Sequence, residues 1–82
     1  MGHEILALKG RLATAKDRKR QLEAHAAVQI RAARDVLDPY QKPVTKLKID
    51  EAEAAVRSLA NVLLELKDVD EMIDELEDAL GQ

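Results

Sequence analysis

Lys16, Arg18, Lys19 and Arg20 place four cations within five consecutive residues of this 82-residue chain, inside the stretch TAKDRKRQLE. Such a run can hold phosphate oxygens, and so could contact a nucleic acid or another anion. It can equally neutralise acids elsewhere in the same chain. The acids are concentrated at the other end, where KDVDEMIDELEDALG carries Asp68, Asp70, Glu71, Asp74, Glu75, Glu77 and Asp78. A calcium loop needs acids at its first, third and fifth positions followed by a glycine. Here Met72 takes the fifth position, and Val69, Ile73 and Leu76 continue a helical period through the segment. The acids therefore read as one face of a helix, open to solvent or to a basic partner, including a protein that normally binds DNA.

The remaining chemistry is sparse. His3 and His25 are the two histidines, and neither has companions at the spacing of a metal site. Ser58 is the single serine, with no histidine near it in sequence, and Gly2, Gly10 and Gly81 are too scattered to form a phosphate loop. Nothing is placed like a nucleophile with its base. The expectation is a protein that is not an enzyme, with no cofactor and no metal.

Composition says what positions these groups. Charged residues make up 35% and aliphatics dominate a hydrophobic fraction of 46%, while Tyr40 is the one aromatic. That mixture belongs to long helices rather than to a sheet. There is no cysteine to build a disulfide framework. No apolar run approaches the roughly 18 residues of a membrane span, and the N-terminus does not read as a signal peptide. The expected location is cytoplasmic, with no membrane partner.

The segment DPYQKP interrupts an otherwise helical pattern, because proline disfavours the helical region for the residue before it and lacks an amide proton. Two helices follow, at about 4–37 and about 45–80, with a proline-rich turn at 38–44. Thr45 or Asp50 could cap the second helix, with Val44 and Ile49 as a hydrophobic staple in the first case. Gly81 stands where a C-cap glycine belongs.

The first helix repeats Ile5, Leu8, Leu12, Ala15, Lys19, Leu22 and Ala26, then steps by four to Ile30, Ala33 and Leu37. The second carries two overlapping seams. One is Ile49, Ala52, Val56, Leu59, Leu63 and Leu66; the other is Leu59, Val62, Leu66, Val69, Ile73, Leu76 and Leu80. A helix with one neighbour needs one stripe, so two stripes imply two neighbours.

A short connection favours antiparallel packing, with residue i facing roughly residue 85 − i. Charge agrees: residues 1–37 sum to +4 (eight Lys or Arg, four Asp or Glu), and residues 48–82 to −8 (three against eleven). The expected fold is an all-α antiparallel two-helix hairpin, a single domain that dimerises into a four-helix bundle or a higher helical oligomer. The expected function is a non-enzymatic protein–protein interaction module: an adaptor, assembly factor, chaperone or inhibitor, of the kind a phage or mobile element encodes.

Val56, Leu59, Val62, Leu63, Leu66, Val69 and Ile73 are the candidate self-association or partner residues. Tyr40 and Lys42 are the candidate contacts at the tip, and Lys16, Arg18, Lys19 and Arg20 the candidate anion contacts. The alternatives are a nucleic-acid-associated protein using that basic stripe, or a DNA mimic using the acidic face.

Overall fold

A computed structural model describes residues 2–38, 40, 43, 45 and 47–81. Two helices, α1 (Gly2–Val36) and α2 (Ile49–Leu80), pack against each other as a hairpin. The molecule measures 64 × 16 × 15 Å. Its radius of gyration of 18.5 Å far exceeds the roughly 12 Å of a compact domain of this length.

α1 runs without a break through Gly10, where the Thr14 hydroxyl donates to the Gly10 carbonyl at 3.0 Å. A Cβ added at Gly10 meets nothing within 4 Å. Gly10→Ala should therefore stabilise the hairpin by about 0.5–1 kcal/mol, since glycine loses more backbone freedom than alanine in a helix. Thermal unfolding followed by circular dichroism checks this.

The helix ends at Val36, one residue short of the expected limit, and the Leu37 amide donates back to Ala33 O at 3.1 Å. α2 starts between the two expected starts. Lys48 is its N-cap residue, and its carbonyl accepts from the Glu51 and Ala52 amides at 3.1 and 3.2 Å, with no side-chain cap. Thr45 lies outside the helix, and Asp50 sits within its first turn beside Glu51, where both carboxylates complement the helix dipole. The expected staple residue Val44 lies outside the described residues. At the far end Gly81 adopts the left-handed conformation (φ 75°, ψ 24°) and its N–H bonds back to Asp78 O, as a glycine cap does.

The packed face of α2 is an unbroken heptad: Ala52, Ala55, Leu59, Val62, Leu66, Val69, Ile73, Leu76 and Leu80 are buried or half-buried. Opposite it, α1 presents Leu8, Leu12, Ala15, Lys19, Leu22 and Ala26. The expected four-residue step after Ala26 does not occur. The half-buried residues that follow on α1 are Gln29, Ala32, Ala33 and Val36, with Gln29, Ala33 and Val36 continuing the period, while Ile30 and Leu37 turn outward. Two facing helices keep knobs opposite holes only if both hold the same period. α2 holds a strict one, so α1 does too, even with a glutamine in the seam.

Leu12, Ala15, Ile73 and Leu76 form one buried cluster; Leu22, Ala26 and Val62 form a second, with Leu59, Leu66 and Val69 against it. The two clusters set Leu12 and Ala15 against Ile73 and Leu76, and Leu22 and Ala26 against Val62, which centres the register near i opposite 86 to 88 − i, close to the expected 85 − i. Interdigitation of the seams decides the register. Small residues gather in the seam near the turn, where Ala26, Ala33, Ala52 and Ala55 permit close approach. Ala24, Ala27, Ala54 and Ala60, in the same alanine-rich stretches, lie exposed.

Candidate interaction face

The basic run is engaged within the chain. Arg18 donates to Glu65 at 2.7 Å, Lys19 reaches Asp70 at 2.8 Å, Lys16 lies 3.7 Å from Glu77, and Arg20 pairs with Asp17 at 3.0 Å on its own helix. Asp17 also accepts from the Gln21 amide. Glu65, Asp70 and Glu77 supply the carboxylates across the hairpin, and Asp68 and Glu71 do not take part. Half-exposed pairs of this kind contribute only about 0.2–1 kcal/mol each, so they orient the hairpin rather than hold it together.

Lys19 is the cation inside the seam. It is neither sealed in the core nor free in solvent: its side chain keeps 40% of its exposure while the ammonium meets Asp70 at the flank. The hydrogen bond to Asp70, then that carboxylate's charge, with Glu23 and Asp74 adding, raise its pKa above the ordinary 10.5. A lysine whose folded pKa is raised adds stability that is fully present below its unfolded pKa and is lost as pH climbs through the folded one. The stability difference between the wild type and Lys19→Met should thus stay constant through neutral pH and shrink above about 10.5. Urea titrations at a series of alkaline pH values measure it.

The seven candidate association residues separate into two sets. Val62 and Ile73 are buried in the hairpin itself, and Leu59, Leu66 and Val69 pack half-buried against its core clusters. Val56 and Leu63 remain exposed, at 53% and 52%. The seam that ends at Leu80 therefore closes the hairpin, and the outlying members of the other seam are left uncovered.

Val56 and Leu63 have company. Ile49 precedes Val56 by one heptad on α2, and Leu37 shares a shallow groove with Ile49, Ala52, Glu53, Val56 and Arg57. Ile30, one heptad before Leu37, lies on the same flank of α1, since positions 16, 23, 30 and 37 repeat by seven and Lys16 meets Glu77 across that flank. Ile30, Leu37, Ile49, Val56 and Leu63 thus share one edge of the hairpin, all between 45% and 53% exposed. The edge changes character along its length. Near the turn it is aliphatic, and towards the chain ends it becomes Lys16, Glu23, Asp70 and Glu77. The expected step after Ala26 hides this edge, because it assigns Ile30 and Leu37 to the seam. A continuous heptad read through Gln29 exposes it.

At the turn, Tyr40 is 97% exposed, and its amide donates to the Asp38 carboxylate at 2.9 Å. The ring stands in solvent rather than covering the end of the helices. Its companion Lys42 lies outside the described residues. Among the described residues no helix is long and apolar enough to cross a membrane.

Comparison of the chain with models of known families, with curated proteins and with solved structures finds no match in any of the three.

Proposed function

We propose that this chain is a non-enzymatic protein-interaction module, a helical hairpin that docks its aliphatic edge on another polypeptide and self-associates into a four-helix bundle. The observation that carries the reading is the edge itself: five large aliphatic side chains about half exposed, gathered on one side and aligned by heptad spacing. Single exposed aliphatics such as Leu6, Val28 and Leu64 are ordinary, but a contiguous row of them marks a contact surface. Tyr40, fully solvated beside the row, extends it at the tip. An adaptor, assembly factor, chaperone or inhibitor would all use such a surface.

A reading through nucleic acid is less well supported, since Lys16, Arg18, Lys19 and Arg20 would each have to leave a carboxylate to reach a phosphate. The DNA-mimic reading meets the same objection from the other side, at Glu65, Asp70 and Glu77.

Light scattering coupled to size exclusion, over a concentration series at low and high salt, tests the proposal together with binding of an apolar fluorescent dye. An assembly that Leu63→Glu disperses supports it, and so does a monomer that binds the dye at this edge until Leu63→Glu removes the binding. A monomer that neither associates nor binds the dye sinks it.

A further inference from the structure

We infer that the occupant of the aliphatic edge is a second copy of this chain, related by a two-fold axis running along the length of the hairpin, so that each α1 lies on the partner's α2 and both Tyr40 tips point the same way. This rests on the reading of the edge as a docking surface and adds who docks and in which orientation.

Area is the first argument. The chain exposes 6361 Å². A compact monomer of its 9.1 kDa exposes roughly 4,900 Å², so about 1,500 Å² is in excess. A standard interface removes roughly 800 Å² from each partner, which the excess covers.

Continuity is the second. Ile49, Val56 and Leu63 lie beside Ala52, Leu59 and Leu66 of the existing seam, so α2 is apolar over three positions of each heptad in this stretch. That is the width used by a helix inside a bundle, whereas a two-helix seam uses two. The edge on α1 occupies the same stretch. With i level with 86 to 88 − i, Ile30 stands level with positions 56–58 and Leu37 with positions 49–51. All five side chains fall within the span 49–63, a band about 21 Å long at 1.5 Å per residue. An axis along the rod maps every level onto itself, so the band of one copy meets the band of the other without a shift.

Charge and overlap select this axis over its rival. Two like edges can close face to face in two ways. An axis across the rod sets α2 on the partner's α2; with the bands superposed it pairs only residues 49–63, each of net −2 (one Arg against three Asp or Glu), and leaves the rest of both rods unpaired. An axis along the rod sets α1, within a segment of net +4, on the partner's α2. Lys16 and Lys19, level with positions 70–72 and 67–69, then stand near the partner's acidic segment while they keep their own carboxylates.

The absence of cysteine makes the test direct. Ile30→Cys and Val56→Cys are prepared as separate proteins, mixed, and oxidised gently; Leu37→Cys mixed with Ile49→Cys repeats the test at a second level. A disulfide needs Cα atoms within roughly 7 Å, so it reports which helices face each other. Each mixture should give disulfide-linked dimer at least several-fold above either protein alone. Val56→Cys cross-linking efficiently by itself would overturn the proposal in favour of α2 on α2. A wild-type chain that stays monomeric by light scattering at every concentration would also overturn it; dye binding at the edge would then still support docking on a different protein.

Discussion

Val62→Glu should abolish the hairpin, with loss of most helical ellipticity at room temperature. Val62 is 6% exposed and packs with Leu22 and Ala26, so a carboxylate there has neither water nor a cation to meet. Placing an unpaired charge among aliphatic side chains costs several kcal/mol, unless the group takes up a proton at a comparable penalty. The fold has little to spare. Among the described residues, none of the nine buried side chains is fully inaccessible, and five of them lie on a helix with a single intramolecular neighbour. Small domains of this size hold about 0.05–0.15 kcal/mol per residue, so one such substitution consumes most of the margin. Far-ultraviolet circular dichroism and a melting curve decide the matter. A variant as helical and as stable as the wild type would mean that α2 does not pack through this face.

Leu63→Glu, one position along, should do the opposite. The side chain is 52% exposed and points to the aliphatic edge, so the hairpin should keep its helicity and its melting behaviour as a monomer. What should fail is association. In a two-fold assembly both copies lose a leucine contact and gain a carboxylate, together about 3 kcal/mol, which weakens the dimer on the order of 100-fold. Sedimentation or light scattering over a dilution series reads this directly. Val56→Glu should behave alike. The contrast between adjacent positions is the informative result, since a general loss of hydrophobicity predicts similar effects at 62 and 63.

That contrast also marks how far the residues alone lead. The two helices, the break at the prolines, the glycine cap and the overlapping stripes on α2 all follow from spacing, because proline, glycine and a seven-residue period act locally. Which stripe closes the hairpin does not follow. Leu59 and Leu66 belong to both, and only packing against α1 assigns Val62 inward and Leu63 outward. On α1 the aliphatic choice at Ile30 and Leu37 looks better than a continuation through Gln29, yet the uniform period of the facing helix overrides local hydrophobicity. Which carboxylates the basic run meets, Glu65, Asp70 and Glu77, rests on the same long-range fit.

The start of α2 was hidden for a different reason. Thr45 and Asp50 are each good capping residues, whereas Lys48 caps with its backbone alone.

The elongated outline has a practical consequence in solution. At 64 Å long and 16 Å wide, the hairpin is four times as long as it is broad, and it tumbles and diffuses like a short rod. Its Stokes radius exceeds that of a sphere of equal mass, so a gel-filtration column calibrated with globular standards will place the monomer where a heavier protein belongs. Lateral pairing thickens the rod without lengthening it, and so shifts elution much less than a doubling of mass suggests. Retention volume is therefore a poor count of subunits for this shape, while rotational correlation times about the long and short axes would separate one rod from two laid side by side.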